Sequence, residues 1–355
     1  MTGIVERVSR FLSEPGSGSF DELALAAFAF QFERIPAFRR LCESRGAAPG
    51  TLSDWRLIPL IPAAAFRTLE LAAGPAMETF RSSGTTGGGA GEEGGRSVHR
   101  HPFPELYRQA VDASFPFSCL RDPADRPPIL SLVPGRQQLP DSSLSFMADH
   151  LLARYGGPGS ATAFGTGGVD LPRARSWAGA RQRDGRPALV LATAFALADW
   201  LQALARQDLR FRLPAGTVVF ETGGFKGRTR ELSRPELLAQ VAERLGVPGA
   251  SVVREYGMTE LTSQCYTRTL AGGDADLFAA PHWVRVRVLD PATLAAAPAG
   301  VPGLLAVLDL ANLGSALHLL TEDLGVAEGA GFRLLGRAAW AQLRGCSLAV
   351  EELRR

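Results

Sequence analysis

The chain of 355 residues is 46% hydrophobic and 21% charged, a composition typical of a packed globular protein. Its 38 basic and 36 acidic residues nearly cancel to a formal charge of +2, which argues against nucleic acid or an anionic membrane surface as a partner. The N-terminus has no basic segment followed by an apolar run, and no apolar stretch is long enough for a membrane span. Four widely spaced cysteines without a CxxC pair predict reduced thiols in a cytoplasmic protein.

Helices and strands alternate along most of the chain. Residues 19–45 have apolar side chains at helical spacing and predict a pair of docking helices. The segment 82–95 holds seven glycines and predicts a loop. Beyond the loop, apolar runs predict strands at 129–133, 188–194, 217–220, 251–255, 284–289, 304–309 and 316–320, and amphipathic stretches predict helices at 142–154, 196–206 and 234–245.

This order of elements predicts an α/β fold. Helices separate the earlier strands, as in βαβ units with a parallel sheet, whereas the later strands follow one another directly. We therefore expect mixed and parallel sheets flanked by helices. The last hundred or so residues should add a β-rich part that forms a smaller barrel-like or mixed sheet.

Two separated motifs carry the chemistry. Residues 82–89, Ser-Ser-Gly-Thr-Thr-Gly-Gly-Gly, combine hydroxyl side chains with glycines whose backbone N–H groups can converge on a phosphate. They are not a P-loop of the Walker type, because Ala90 and Gly91 replace the lysine and the hydroxyl residue, and composition alone favours a flexible linker. Residues 256–260, Tyr-Gly-Met-Thr-Glu, follow a predicted strand, where open α/β sheets place their ligands.

Together the two motifs resemble the adenylate-forming superfamily of acyl- and aryl-CoA ligases, adenylation domains and firefly-type luciferases. Segments 221–224, 321–325 and 335–337 fit the same resemblance, which covers residues 80 to 350. It implies an enzyme that uses ATP and Mg²⁺ to convert a carboxylic acid into an acyl-adenylate. Such chemistry needs positioning and charge stabilisation more than acid–base catalysis.

The resemblance also implies a role for individual residues. Thr259 would meet the α-phosphate, and Glu260 would act as the Mg²⁺ ligand. Lys226 is the only lysine of the chain and would contact the reacting carboxylate or a phosphate. The implied nucleotide contacts are Ser82, Ser83, Gly84, Thr85, Thr86 and Gly87 over the β- and γ-phosphates, Gly223 and Gly224 along the adenine, Tyr256 and Gly257 at the base, and Asp323 and Arg337 at the ribose or a phosphate.

Within the superfamily, segments 222–228, 281–291 and above all 343–353 look like the LuxE-type acyl-protein synthetases. Those enzymes transfer the acyl group to a cysteine near their C-terminus and then to a reductase, and Cys346 occupies that position. The resemblance implies a large domain at 1–340 and a remnant of the hinge and C-terminal segment at 341–355. The small mobile domain of CoA ligases, with its lysine, is expected to be absent.

Simpler interpretations stand beside these roles. A lone thiol is more often a small core residue than a nucleophile, an alternative that stays open for Cys346 and is preferred for Cys119 and Cys265. Without a second cysteine or a histidine at ligand spacing, no zinc site is expected near Cys265. His99 and His101 have no carboxylate or cysteine partner at ligand spacing and are interpreted as surface residues, with contact to a phosphate as the alternative.

Two departures from the superfamily pattern bear on the nucleotide. Glu92 and Glu93 stand where many relatives carry a lysine, and Glu322 replaces a usual glycine beside the implied ribose ligand. The acid is expected to be a fatty acid, because Phe195, Phe220 and Phe225 would give the pocket apolar walls.

Three functions remain in competition. The first is acyl transfer through Cys346 to a reductase. The second is a stand-alone ligase that transfers the acyl group to CoA or to a carrier-protein thiol. The third is a non-catalytic nucleotide-binding subunit, which the altered phosphate loop would favour.

Overall fold

A computed structural model describes residues 3–83, 95–223 and 232–338 of the chain. Its helices are α1 Ile4–Ser13, α2 Phe20–Arg34, α3 Pro36–Ser44, α4 Pro104–Cys119, α5 Ser143–Tyr155, α6 Leu171–Asp184, α7 Ala194–Arg206 and α8 Arg234–Leu245. Its strands are β1 Ile61–Pro62, β2 Glu78–Arg81, β3 Val98–His101, β4 Ile129–Ser131, β5 Ala161–Thr162, β6 Phe164–Gly165, β7 Gly168–Val169, β8 Leu189–Thr193, β9 Val218–Thr222, β10 Val252–Tyr256, β11 Cys265–Thr267, β12 Leu277–Ala279, β13 Val284–Leu289, β14 Gly303–Asp309, β15 His318–Glu328 and β16 Gly331–Arg337.

One large mixed sheet organises the described residues, in the order β13-β14-β15-β16-β12-β11-β10-β9-β8-β4-β5, with β1 paired to β15. The half from β10 to β5 is parallel, and the half from β11 to β13 is antiparallel. The predicted α/β fold with a strand-rich C-terminal part is therefore confirmed. Of the two forms expected for that part, the mixed sheet is found, because β11 pairs with β10 and continues the same sheet.

The parallel strands form because their sequences are apolar on both faces. Strand β9, Val-Val-Phe-Glu-Thr, is buried along its whole length, as expected for a strand covered by helices on each side. Helices α7 and α8 make the crossovers from β8 to β9 and from β9 to β10. Their first turns are capped locally: Thr193 Oγ1 accepts a hydrogen bond from Ala196 N, and Ser233 and Glu236 form a capping box.

Apolar cores lie on both faces of the parallel half and beneath the N-terminal helices. One core contains side chains of α6, α7 and α8, and the core on the opposite face contains side chains of α4 and α5. The predicted helix pair is present as α2 and α3 and packs on the antiparallel half. Gln31 of α2 joins this packing, since its Nε2 donates to the carbonyl oxygens of Asn312 at 3.0 Å and Leu313 at 2.9 Å.

A hairpin outside the large sheet completes the described fold. Strands β2 and β3 pair as a hairpin on either side of the glycine-rich loop, a pairing that sequence patterning did not predict. Among the described residues, no helix is both long enough and apolar enough to cross a bilayer. The predicted boundary between residues 1–340 and 341–355 stays a prediction, because residues 339–355 lie outside the described part.

Candidate active site

Three parallel strands end side by side at one edge of the sheet. In the register of β8, β9 and β10, Thr193 lies beside Thr222, and Thr222 lies beside Glu255. The Thr222 hydroxyl donates a hydrogen bond to the Glu255 carboxylate, which ties the ends of β9 and β10 together. Because ligands of open α/β sheets bind outside the carboxyl ends of the strands, the chain that leaves this edge is the candidate site.

The antiparallel half of the sheet brings Asp323 to the same edge. The Tyr256 hydroxyl at the end of β10 donates to Asp323 Oδ2 on β15 at 3.0 Å. Burial, and then the neighbouring Asp323, raise the pKa of Tyr256, so the phenol stays neutral and remains a donor. Two of the predicted nucleotide contacts, distant in sequence, thus form one hydrogen-bonded pair.

The Tyr256 ring is only 5% exposed. It packs edge-on against Phe332 and Phe278, with ring centroids 5.4 and 6.1 Å away. In this arrangement the ring supports the strand end, and its hydroxyl orients Asp323. The stacking of an adenine on this ring stays a prediction.

Arg337 lies next to the Tyr256–Asp323 pair, because β15 and β16 pair Asp323 with Arg337. Arg337 Nε is 3.8 Å from Asp323 Oδ1, and its Nη1 is 3.5 Å from Glu322 Oε2. Glu322 also lies 3.5 Å from Arg67 Nη2. The carboxylate that replaces the usual glycine is therefore accommodated between two guanidinium groups.

Residues 257–264, which contain Thr259 and Glu260, form an irregular segment held by backbone contacts. His99 Nδ1 lies 2.8 Å from the Thr259 carbonyl oxygen, and Asn312 Nδ2 donates to the Glu260 carbonyl oxygen at 2.9 Å. Fully buried Asp309 accepts hydrogen bonds from the next backbone amides, those of Thr262 and Ser263. The main-chain contacts on both sides of Glu260 thus fix the position of the segment relative to the sheet.

Ser82 closes the hairpin at the base of the predicted phosphate loop. Its backbone N–H donates to the Ser97 carbonyl oxygen at 3.1 Å, and its Oγ accepts from Ser97 N at 3.0 Å. Arg81 and Arg96 flank this point and lie 3.6 and 3.5 Å from Asp141. Ser83 is exposed. The remaining predicted loop residues, Gly84, Thr85, Thr86 and Gly87, lie outside the described part.

The described residues include part of the predicted adenine contact and part of the predicted apolar wall of the acid pocket. Gly223 follows β9 with φ +72°, a conformation that favours glycine. Phe220 is fully buried in the core, so its predicted role as a pocket wall is wrong, whereas Phe195 is half-buried. Gly224, Phe225, Lys226 and Cys346, for which roles were also predicted, lie outside the described residues as well.

His99 and His101 are fully buried, so their interpretation as surface residues is wrong. His99 and His101 are two residues apart on β3, so their side chains lie on the same face of the strand, and that face is buried. Burial lowers the pKa of His99 to about 4 and holds that of His101 well below its usual value. The alternation Val-His-Arg-His is the only sequence signal of a buried strand at this position. It lacks the apolar periodicity that predicts one.

Acid is expected to destabilise the fold because of its buried histidines. The pKa of His318 is also lowered by burial to about 4, so between pH 6.5 and 4 the unfolded chain binds protons that the folded chain does not. Each such histidine lowers the free energy of unfolding by about 2 kcal/mol at pH 5 relative to pH 7.5. Asp309 and Glu221, whose pKa burial raises, act in the opposite sense.

Urea unfolding at pH 7.5 and pH 5 measures this difference. The variant His318→Asn should show a smaller pH dependence than the wild type, by roughly the contribution of one histidine. Equal free energies of unfolding at the two pH values would contradict the expectation.

Gly257 is expected to tolerate no side chain. A Cβ at this position would collide with Oε1 of the buried Glu255 side chain, whose Oε2 accepts a hydrogen bond from Thr222, and would also approach Gln264. Gly257→Ala should therefore displace the Glu255 carboxylate and lower the free energy of unfolding by about 1–2 kcal/mol. Gly74→Ala, where a Cβ meets nothing within 4 Å, is the matched control in thermal unfolding. Equal melting temperatures for the two variants would show that the site can adapt.

The Glu260 carboxylate suits a Mg²⁺ ion that binds together with ATP. No cluster of three metal-ligating side chains occurs among residues 3–83, 95–223 and 232–338. Glu260 lies at the sheet edge as a nearly buried carboxylate, 7% exposed. Mg²⁺ is commonly held by one or two carboxylates together with substrate phosphates and water, so this set suits Mg²⁺ bound to ATP.

Comparison with known families identifies the C-terminal half. Residues 183–353 match the family model described as "Acyl-protein synthetase, LuxE". The LuxE match begins at the end of α6 and includes Tyr256, Thr259, Glu260 and Asp323, but not the hairpin with Ser82. No curated protein sequence matches the chain.

Solved structures with a similar fold include a CoA ligase and MatB. A 2-hydroxyisobutyryl-CoA ligase with 2-HIB-AMP and CoA in the thioesterification state is 16% identical, with a TM-score of 0.65 over 92% of this chain and 70% of that one. The open conformation of that ligase is 15% identical, with a TM-score of 0.64 over 89% of this chain and 69% of that one. ATP-bound MatB from Rhodopseudomonas palustris is 15% identical, with a TM-score of 0.50 over 83% of this chain and 52% of that one. These structures confirm the predicted fold, and the match to residues 183–353 confirms the predicted resemblance to LuxE proteins.

Proposed function

We propose that the protein activates a carboxylic acid with ATP to form an acyl-adenylate. The observation that carries the proposal is the Tyr256–Asp323 pair, which lies at the same sheet edge as the segment with Thr259 and Glu260. The order of these residues matches the nucleotide motifs of the adenylate-forming fold. The 2-hydroxyisobutyryl-CoA ligase structures, which share the fold, contain an acyl-AMP, and the MatB structure contains ATP.

In the reaction, a carboxylate oxygen of the acid attacks the α-phosphorus of ATP. A new P–O bond forms, the bond to the β-phosphate oxygen breaks, and pyrophosphate leaves. This step needs no proton transfer to a protein side chain, but charge accumulates on the phosphate oxygens and must be stabilised. The protein therefore acts mainly by orienting the two substrates.

Each described residue has a role in this orientation. Asp323, fixed by the Tyr256 hydroxyl, would accept hydrogen bonds from the ribose hydroxyls. Arg337, which lies within 4 Å of both Asp323 and Glu322, would approach the ribose or a phosphate. Thr259 would donate to the α-phosphate, and Glu260 would hold Mg²⁺, which neutralises phosphate charge. The proposed further contacts are Ser82, Ser83, Gly84, Thr85, Thr86 and Gly87 at the outer phosphates, Gly223, Gly224 and Gly257 at the base, and Lys226 at the reacting carboxylate or a phosphate.

ATP–pyrophosphate exchange tests this step. The protein is incubated with ATP, Mg²⁺ and labelled pyrophosphate in the presence of single fatty or aromatic acids. We expect acid-dependent incorporation of label into ATP, strongest with an acid that has an apolar chain. A non-catalytic nucleotide-binding subunit would give no exchange with any acid, and that result would overturn the proposal.

For the second half-reaction we propose that Cys346 accepts the acyl group. Its thiolate would attack the acyl carbonyl, the C–S bond would form, and the bond to the AMP phosphate oxygen would break. The other cysteines support this choice, because Cys42, Cys119 and Cys265 are all buried. Burial raises the pKa of all three thiols, that of Cys42 to about 12, and buried thiols with a raised pKa are poor nucleophiles.

The acyl group would then pass to a reductase partner that forms an aldehyde. The alternative is transfer to CoA or to a carrier-protein thiol. It is retained because the 2-hydroxyisobutyryl-CoA ligase structures, which share the fold, contain CoA. Labelled acid and ATP without any acceptor distinguish the two. Label that stays on the protein and is released by hydroxylamine indicates a thioester, whereas label that appears only on added CoA or carrier protein indicates the ligase.

A further inference from the structure

Two buried histidines connect the phosphate-loop hairpin to the segment that carries Thr259 and Glu260. His99 and His101 lie on the same face of β3, with ring centroids 4.9 Å apart. His99 Nδ1 contacts the Thr259 carbonyl oxygen at 2.8 Å, and His101 Nε2 contacts Thr262 Oγ1 at 2.8 Å. The two contacts are made to positions three residues apart, on either side of Glu260.

The hydrogen-bond network determines which ring nitrogen carries each proton. Because a carbonyl oxygen only accepts, His99 Nδ1 must be the donor to Thr259. Asn312 Nδ2 donates to the carbonyl oxygens of Glu260 at 2.9 Å and Ala316 at 2.7 Å, so Asn312 Oδ1 is an acceptor. The Thr262 hydroxyl donates to this oxygen at 2.9 Å, and it can therefore accept only from a protonated His101 Nε2.

Both histidines thereby act on the main chain around Glu260. His99 binds the carbonyl that precedes Glu260. His101 binds Thr262, which orients Asn312, and Asn312 binds the Glu260 carbonyl. His99 Nε2 and His101 Nδ1 form no hydrogen bond of normal geometry among the described residues, although the Asn312 side chain and the Phe103 backbone lie near the two rings.

We propose that His99 and His101 are positioning residues that hold the main chain of Thr259 and Glu260 against the phosphate-loop hairpin through one specific donor nitrogen each. The link to catalysis rests on the proposed adenylation function. The two ends of the link are the hairpin, whose strands flank the predicted phosphate loop, and the proposed α-phosphate and Mg²⁺ contacts. Movement of either end relative to the other would misplace ATP.

Amide side chains provide a matched test of this geometry. Counting bonds from Cα, the nitrogen of asparagine stands where His Nδ1 stands, and the nitrogen of glutamine stands where His Nε2 stands. His99→Asn and His101→Gln therefore keep the donor, whereas His99→Gln and His101→Asn move it. Each pair exchanges the same two residue types, so polarity and size are balanced between the positions.

Hydrogen–deuterium exchange of the peptide 257–264 is the first measurement. We expect the donor-keeping variants to exchange as slowly as the wild type, and the donor-moving variants to exchange faster in this peptide by about fivefold to tenfold, as for the loss of one buried hydrogen bond. His318→Gln, which disturbs a buried histidine bonded to Ile58 instead, should leave the peptide unchanged. Equal behaviour of the two variants at either position would overturn the proposal.

Kinetics provide the second measurement. In pyrophosphate exchange, the donor-moving variants should lower kcat and raise the KM for ATP, whereas the donor-keeping variants should restore both. If the wild type shows no exchange with any acid, the adenylation function fails, while the deuterium measurement still decides whether the histidines position the segment. Loss of activity without rescue by His99→Asn or His101→Gln would contradict the positioning role.

Discussion

Cys346→Ser is expected to abolish the acylated protein while leaving ATP–pyrophosphate exchange within about twofold of wild type, because adenylation precedes the thiol attack. The serine hydroxyl at neutral pH is a much weaker nucleophile than a thiolate, and nothing in the adenylation step requires the sulfur. The measurement is the amount of labelled acyl group that remains with the protein after denaturing gel separation, alongside the exchange rate.

Cys42→Ser and Cys119→Ser are the matched controls for this substitution. Both thiols are fully buried, and burial raises their pKa, so each variant should retain the acyl label wherever it folds. Label retained by Cys346→Ser at the wild-type level would contradict transfer to this cysteine. It would favour direct transfer to CoA or to a carrier-protein thiol.

Glu260→Gln is expected to lower the exchange rate by on the order of a hundredfold to a thousandfold, the effect typical of losing one preorganised charge interaction with the transition state. The amide keeps the size of the side chain but removes the negative charge that would hold Mg²⁺. The backbone of Glu260 is bound through its carbonyl by Asn312, so the segment should remain in place. The concentration of Mg²⁺ at half-maximal rate should rise, and it is measured by titration at fixed ATP.

Glu22→Gln is the control for Glu260→Gln, because Glu22 is an exposed glutamate in the first turn of α2. It should leave both the rate and the Mg²⁺ requirement unchanged. The role of Glu260 would be contradicted if Glu260→Gln kept the wild-type Mg²⁺ dependence and lost activity only through a lower melting temperature.

Local patterns predicted much of the fold, because periodicity reports burial directly. The apolar runs at 188–194, 217–220 and 251–255 are the parallel strands β8, β9 and β10, and the helix at 234–245 agrees with α8. The hairpin of β2 and β3 was missed. Its strands are short, polar and separated by a glycine-rich loop, and polar residues such as His99 carry no apolar periodicity even when they are buried.

The candidate site was predicted as a set of residues but not as an arrangement. The resemblance assigns Tyr256 and Asp323 to one nucleotide, and the structure joins them by a hydrogen bond, while their binding of a nucleotide stays a prediction. Asp309 and Asn312 were not predicted, although they hold the segment with Glu260. Isolated Asp and Asn residues are common on protein surfaces, and their burial here depends on the pairing of distant strands.

The sequence by itself determined the main alternating strands and helices, the two motifs and the chemistry that those residue types can perform, since each depends on neighbours within a few positions. Only the tertiary structure decided that β15 brings Asp323 to Tyr256, that β3 brings His99 to Thr259, and that Phe220 lies in the core. These are contacts between distant segments, and they follow from strand order and register, which local propensity does not encode.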